Sequence, residues 1–180
     1  MKRRISNSLL LLLILIFTAC ENKQSRTNGD PELAEAEVSL DQVIANASFT
    51  DFDGNAVSLS DYEGKIVLID FWETWCGPCL QVFPAMDSLR TEYPNDFAVI
   101  AVNTGWTDSK EEATSFIAEN DYDFVFARDN EDVLASLGVP GIPFKVFVAP
   151  NGDIIKAELG SYGTEGDYKY AKELIQEYTK

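Results

Sequence analysis

The 180-residue sequence predicts an α/β domain in which helices flank a mixed central sheet, with an N-terminal β-hairpin extension. Two dense runs of β-branched and aromatic residues, 65–72 and 97–103, are typical of buried strands. Helical spacing of apolar residues separates these runs and returns at 165–178. The turn sequence at 150–152 (Pro-Asn-Gly) predicts a late hairpin. Strand–helix–strand followed by a hairpin and a helix requires both parallel and antiparallel pairing.

The predicted elements cover the chain from its second quarter to its end. Alternating residues on either side of Asp53-Gly54-Asn55 predict the β-hairpin at 49–59. The other predicted elements are, in chain order, a strand at 65–72, a helix at 78–93, a strand at 97–103, a helix at 110–120, a strand at 124–127, a helix at 129–137 ended by Gly138, strands at 144–149 and 153–159, and a helix at 165–178. The stretch 38–46 has no clear pattern and is assigned to the start of a domain at 38–180.

The composition excludes several classes of function. A formal net charge of −16 argues against nucleic-acid binding, and solubility is its simplest explanation. The absence of histidine excludes Cys-His catalysis and His-ligated zinc. Three cysteines are too few for a four-cysteine zinc site, so no metal is expected, and they are too few for a disulfide scaffold.

The first 37 residues have the pattern of an export signal and a linker. Three basic residues at 2–4 precede nine apolar residues at 9–17, a run too short to span a bilayer and suited to a signal peptide at 1–19. Thr18-Ala19-Cys20 resembles a bacterial lipobox, which implies cleavage before Cys20 and its lipidation. An ordinary signal peptide or an uncleaved anchor remains an alternative. The polar segment 20–37 then predicts a flexible tether. These features predict a lipoprotein on the periplasmic face of a membrane or on the cell exterior, where disulfides persist.

The sequence Trp75-Cys76-Gly77-Pro78-Cys79 is the chief candidate for chemistry. It follows a predicted buried strand and opens a helix, the context that a redox C-x-x-C requires. Unpaired N–H groups at the helix start favour the Cys76 thiolate, and Pro78 fits the first turn. Two intervening residues let Cys79 attack a mixed disulfide at Cys76. A structural disulfide or two inert thiols is the alternative, although so short a loop gains little stability from a disulfide.

The segment 66–84 (IVLIDFWETWCGPCLQVFP) resembles the active-site stretch of the thioredoxin superfamily. With 59–65 and 138–143, the arrangement resembles the extracytoplasmic thioredoxin-like proteins of the TlpA type. The resemblance covers about 47–178 and implies a thioredoxin-like fold. It also implies that Cys76 attacks, that Cys79 resolves, and that their redox-active disulfide serves without another cofactor.

Further residues acquire roles from the same resemblance. Asp70 matches the buried acid that exchanges a proton with Cys79, and a carboxyl group on an apolar strand should have a raised pKa. Ile142-Pro143 matches the cis-proline dipeptide opposite the active site. The implied substrate cleft consists of Trp75, Gly77, Pro78, Ile142 and Pro143.

Three departures from the TlpA pattern leave the redox potential and the choice of partner open. Val82 stands where a Glu often follows the second cysteine. Glu73 replaces a small residue, and its carboxylate is expected to raise the pKa of Cys76. Phe144 follows the proline where Thr or Ser is common.

The predicted function is a thiol:disulfide oxidoreductase. The Gly-Pro pair between the cysteines is similar to that of thioredoxin, and this resemblance implies reduction of exported protein disulfides. The partners implied are exported protein disulfides or thiols and a membrane electron donor that re-reduces the pair. Disulfide oxidase or isomerase activity is one alternative. A thioredoxin-fold thiol peroxidase is another. Peroxiredoxins resemble one another in a Thr or Ser a few residues before the peroxidatic Cys, with a Pro further upstream; here Thr74 lies two residues before Cys76, and the proline of that pattern is missing. A non-catalytic binding module is a third.

Overall fold

The computed structural model describes residues 39–179, through which a seven-stranded sheet runs. The strands are β1 (Ser48–Asp51), β2 (Ala56–Ser58), β3 (Ile66–Trp72), β4 (Phe97–Asn103), β5 (Val125–Arg128), β6 (Phe144–Val148) and β7 (Ile154–Leu159). The helices are α1 (Leu40–Ala45), α2 (Gly77–Glu92), α3 (Lys110–Glu119), α4 (Val133–Ser136) and α5 (Gly163–Tyr178), and a 3-10 turn covers Leu59–Tyr62. The predicted signal peptide, Cys20 and the tether lie outside the described residues. Within 39–179, no helix has the length and apolar character needed to cross a bilayer.

The sheet has the strand order β2-β1-β5-β4-β3-β6-β7. β3 pairs in parallel with β4 and antiparallel with β6, so the predicted mixed sheet is confirmed. β1 and β2 form the predicted hairpin, and β1 joins it to the sheet through β5. Every residue of β3 and β4 is buried, because helices cover both faces of the sheet at its centre.

Two apolar cores lie on the two faces of the sheet. On one face, Leu68 and Trp72 of β3 pack with residues of α2 and α5, and Phe116 of α3 packs against them. On the other face, Ile69 and Phe71 of β3 pack with residues of α1 and α4. The alternation along β3 therefore assigns even-numbered residues, Asp70 among them, to the face that α2 and α5 cover.

Phe83 anchors α2 to the sheet. Its ring centroid lies 5.2 Å from that of Trp72, 5.5 Å from that of Tyr122 and 5.4 Å from that of Phe124. Phe83 is 1% exposed, so nearly all of its ring area is removed from water. This packing fixes the helix whose first turn carries the cysteines.

The helix predicted at 129–137 is wrong over its first four residues, because α4 covers only Val133–Ser136. Asp132 has φ 54°, in the left-handed region, and breaks any helix before it. The Asp129 carboxylate accepts N–H bonds from Val133 at 2.8 Å and Leu134 at 2.9 Å, so it caps the shorter helix. Gly138 has φ 65° just after α4, as its predicted position requires.

Candidate active site

The two cysteines lie after the end of β3, at the N-terminus of α2. Cys76 is the N-cap residue of α2, and it forms a disulfide with Cys79 across a Cα–Cα distance of 5.2 Å. The backbone N–H of Cys79 donates to Cys76 Sγ at 3.3 Å. In the reduced protein the same N–H group and the helix N-terminus favour a negative charge on this sulfur. Cys76 is 3% exposed and Cys79 is 0% exposed, so a substrate sulfur meets Cys76 first.

The loop before β6 lies at the same end of the sheet as the disulfide. The Ile142–Pro143 peptide bond is cis, as the sequence predicts. Phe144, the next residue, pairs with Phe71 of β3, one residue before the end of that strand. Ile142 also packs against the apolar core that contains both cysteines. Ile142 therefore packs with the same core as the two cysteines, and the place of Ile142 and Pro143 in a substrate cleft stays a prediction.

Asp70 is a fully buried carboxyl group within β3. Its exposed fraction is 0%, and neither of its oxygens has a hydrogen-bond partner among residues 39–179. Burial raises the pKa of Asp70 well above its ordinary value, while the positive charge of Lys145 lowers it and the negative charge of Asp167 raises it. Asp70 is therefore an acid that resists ionisation and, once ionised, is a strong base.

A buried ion cluster surrounds Lys145, the neighbour of Asp70 on β6. The Lys145 Nζ lies 2.5 Å from Asp167 Oδ1 and 2.9 Å from Glu158 Oε1. Burial opposes the charge of Lys145, but its hydrogen bond to Asp167 and its ion pair with Glu158 raise its pKa, so the ammonium form is favoured. The Lys145 ammonium thus forms ion pairs with two carboxylates on the face of the sheet that also carries Asp70.

Glu73 joins the loop at 73–76, between β3 and α2, to the segment after β4 by hydrogen bonds. Its carboxylate accepts hydrogen bonds from Thr104 Oγ1 at 2.6 Å, from the Thr107 N–H at 3.1 Å and from Trp75 Nε1 at 2.5 Å. Burial alone raises the pKa of Glu73, but these hydrogen bonds lower it to about 2. The effect of Glu73 on the pKa of Cys76 stays a prediction. The hydrogen bond from Trp75 Nε1 shows that Glu73 also orients the Trp75 side chain.

Asp108 makes a parallel connection between the same two segments. The Thr74 N–H and hydroxyl donate to its two oxygens, each at 2.7 Å, and Asn103 Nδ2 donates to it at 2.7 Å. Asp108 and Glu73 are both buried. The residues before Cys76 are therefore held in place by two hydrogen-bonded carboxylates.

Sequence reasoning missed Lys145, Glu158, Asp167 and Asp108. A lysine inside the apolar run 144–149 is a signal that should have identified Lys145, since an unpaired buried charge is costly. Glu158 and Asp167 give no local signal, because edge strands and surface helices commonly carry carboxylates. Their proximity to Lys145 depends on strand register and on the docking of α5.

Thiol–disulfide exchange requires two thiols close enough to bond and a cleft where a substrate chain can approach one of them. The first requirement is met by the Cys76–Cys79 disulfide. The fold and this disulfide together define a thioredoxin-like thiol:disulfide oxidoreductase. Among residues 39–179, no group of three or more acidic, cysteine or histidine side chains is arranged to hold a metal ion.

The chain belongs to the Redoxin family, whose sequence model matches residues 40–174. Thiol-disulfide oxidoreductase ResA of Bacillus thuringiensis subsp. konkukian (strain 97-27) is 26% identical, over 97% of this chain and 96% of the relative. The thioredoxin domain of a thiol-disulfide oxidoreductase from Bacteroides vulgatus has a TM-score of 0.62 at 28% identity, covering 73% of this chain and 95% of that domain. The exposed lipoprotein thioredoxin of Streptococcus pneumoniae strain TIGR4 has a TM-score of 0.59 at 27% identity, covering 71% of this chain and 98% of that protein. The predicted superfamily and activity class are confirmed.

Proposed function

We propose that this oxidoreductase reduces disulfides in exported proteins, outside the cytoplasm, through Cys76 and Cys79. The observation that carries the proposal is the Cys76–Cys79 disulfide at the first turn of α2, with the Cys79 N–H directed at Cys76 Sγ. A helix start favours the thiolate, which is the nucleophile in disulfide exchange. In the resolving step Cys79 attacks Cys76 Sγ, and the substrate sulfur is the leaving group.

The exchange proceeds in two displacements. The Cys76 thiolate bonds to one sulfur of the substrate disulfide, and the other substrate sulfur leaves as a thiolate. Cys79 then loses its proton and attacks Cys76 Sγ, which forms the Cys76–Cys79 disulfide and releases the second substrate sulfur. Two electrons pass from the protein to the substrate, and a donor of two electrons must restore the dithiol.

Asp70 is the proposed acceptor of the Cys79 proton, either directly or through a water molecule. It lies on the sheet face that α2 covers, and both groups are fully buried. A base with a raised pKa accepts a proton from a thiol more readily than an ordinary carboxylate does. Without such a base, the buried Cys79 thiol stays protonated and the mixed disulfide persists.

The proposed substrate cleft has an exposed apolar border. Trp75 is 60% exposed and Trp106 is 46% exposed on one side of it, next to the Glu73 hydrogen bonds. Leu159, which pairs with Phe144 after the cis-proline, is 53% exposed on the other side. Apolar side chains bordering a reactive sulfur suit an extended or partly unfolded substrate segment, with Gly77 and Pro78 beneath it.

The proposed location is a membrane surface outside the cytoplasm, with Cys20 as the lipidated residue, 1–19 as the signal peptide and 20–37 as the tether. The basic and apolar pattern of the leader supports this location. The fold shared with a pneumococcal exposed lipoprotein thioredoxin supports it too. A membrane electron donor then re-reduces the disulfide.

A trapping experiment tests the exchange mechanism. The full-length Cys79→Ala variant is expected to accumulate exported proteins in disulfide linkage to Cys76, because resolution is blocked while attack continues. The Cys76→Ala/Cys79→Ala variant is the matched control and should trap nothing. Equal trapping by both variants, or none by either, contradicts the mechanism.

The direction of the reaction is tested by the redox state of Cys76 and Cys79 in intact cells. Rapid acid quenching followed by thiol alkylation should show mainly the dithiol form, which a reductase needs. A mainly disulfide form supports the oxidase alternative. The peroxidase alternative is disfavoured by the hydroxyl of Thr74, which already donates to Asp108 and is therefore not free to bind a peroxide. Rapid consumption of peroxide by the reduced protein would contradict the assignment as a disulfide reductase.

Anchoring is tested separately with the Cys20→Ser variant. Fatty-acid labelling and membrane fractionation should show a labelled, membrane-bound wild-type protein and an unlabelled variant. Labelling that survives the substitution contradicts lipidation at Cys20.

A further inference from the structure

A row of charged residues crosses the sheet beside the redox site. Antiparallel register places Asp70 of β3 opposite Lys145 of β6, and Lys145 opposite Glu158 of β7. Paired residues in a sheet project to the same face, so all three belong to the face covered by α2 and α5. The exchange steps described above use only Asp70 from this row.

The Lys145 ammonium is fixed in position by its two carboxylate partners. Asp167 of α5 and Glu158 both lie within 3 Å of Nζ, and the Tyr162 ring centroid lies 5.0 Å from it. Asp167 is itself held by the Ser161 hydroxyl and the Tyr162 N–H. Lys145 is 1% exposed, so water does little to screen its charge.

The cluster keeps this cation from pairing with Asp70. Asp70 forms no hydrogen bond within the described residues, although its strand neighbour is a lysine. A direct ion pair would stabilise the Asp70 carboxylate and weaken it as a base. Removal of Lys145 would have the opposite effect, because two negative groups would remain near Asp70 without a cation.

We propose that Lys145, held by Asp167 and Glu158, is a positioning residue that sets the proton affinity of Asp70 and thereby the pH range in which Cys79 resolves the mixed disulfide. This inference rests on the proposed function. Lys145 of β6 and Asp167 of α5 are the charged groups that act on Asp70. The other titratable groups on or beside this face are Cys79 of α2, Glu158 of β7, and Tyr162 and Tyr170 at and within α5, and Ala101 faces Asp70 from β4.

The test uses the reduced full-length protein and a symmetric nitrobenzoate disulfide whose thiolate product is coloured. Attack by Cys76 releases the first thiolate, and attack by Cys79 on the mixed disulfide releases the second, so one trace separates the two steps. The pH midpoint of the second step is compared among Lys145→Met, Asp167→Asn and Glu158→Gln variants. Lys172→Met, which removes a surface ion pair with Glu92, is the control.

The expected shifts have opposite signs. Lys145→Met should move the second-step midpoint to higher pH, because Asp70 then holds its proton more tightly. Asp167→Asn and Glu158→Gln should move it to lower pH, because a negative charge is removed and the ammonium is freed. Below the midpoint, a shift of one pH unit changes the rate about tenfold. The first step and the control should not change.

Two outcomes overturn the inference. One is an unchanged second-step midpoint in Asp167→Asn and Glu158→Gln, and the other is a shift to higher pH in these variants. These two variants decide the matter if Lys145→Met does not fold, which its unpaired buried carboxylates make a real risk. If wild-type protein shows no second step, or Cys79→Ala retains it, the exchange mechanism itself fails, and that result is distinct from a variant that leaves the midpoint in place.

Discussion

Replacing Asp70 with Asn should change how the stability of the fold depends on pH. In the unfolded chain an aspartate ionises near pH 3.9, whereas burial raises the pKa of Asp70 in the folded chain. Between these two values the folded state binds more protons than the unfolded state does. The free energy of unfolding therefore falls as pH rises, by up to about 1.4 kcal/mol for each pH unit, until the folded pKa is passed.

The magnitude follows from the isolation of the Asp70 carboxyl group. It is 0% exposed and has no hydrogen-bond partner within residues 39–179, so no local contact offsets the cost of ionising it. The Lys145 charge reduces this cost but does not reverse it. We therefore expect Asp70→Asn to become more stable relative to wild type by about 1 kcal/mol or more between pH 5 and pH 7.

Urea unfolding of the oxidised proteins at several pH values measures this difference. The buried amide carries its own cost, which shifts the whole Asp70→Asn curve by a constant, so the change with pH decides the outcome and the absolute stability does not. Asp121→Asn, at an exposed site, is the matched control and should follow wild type. Parallel curves for Asp70→Asn and wild type would refute the assignment of Asp70 as a buried acid with a raised pKa.

Three further predictions concern the packing and the loop before Cys76. Phe83→Ala should lower the free energy of unfolding by about 3–5 kcal/mol, measured by urea unfolding, because a buried ring that contacts Trp72 is lost; a loss below 1 kcal/mol contradicts this packing. Glu73→Gln should lower the free energy of unfolding by about 2 kcal/mol at pH 7 and by less near pH 3. A pKa of about 2 means that the ionised carboxylate stabilises the fold fully above about pH 4.3 and loses this effect as pH falls toward 2. The Trp75 fluorescence should change in parallel, and an unchanged melting curve and emission spectrum contradict the role of Glu73. Trp75→Ala should raise KM for a protein disulfide several-fold with little change in melting temperature, because the side chain is 60% exposed; an unchanged KM argues against its place in the cleft.

The parts of the fold that follow from local pattern could be predicted from the sequence. The apolar run of β4 coincides with the predicted 97–103, because a strand buried on both faces has a composition that few other elements share. The helix start at Cys76 also follows from local chemistry, since the C-x-x-C sequence and Pro78 suit a first turn. Asp70 was predicted through the resemblance of 66–84 to the thioredoxin active-site stretch.

Unusual local conformations and contacts between distant segments could not be predicted. The length of α4 depends on the left-handed conformation of Asp132 and on the Asp129 side chain that caps it, and neither changes the apolar spacing. The contacts of Lys145 require the register of β7 and the position of α5. The hydrogen bonds of Glu73 likewise join segments about thirty residues apart. The partners of Lys145 and Glu73 thus depend on how distant segments are brought together in the fold.

The central claim is that the start of α2 makes Cys76 the more acidic thiol and the nucleophile. The direct measurement is the rate of iodoacetamide alkylation of Cys76 and Cys79 in the reduced full-length protein as a function of pH, resolved by peptide mass spectrometry. Cys76 should react with a pH midpoint below the ~8.5 of a free cysteine, while the buried Cys79 should react far more slowly. A Cys76 midpoint at or above that of free cysteine, or faster alkylation of Cys79, would contradict the central claim.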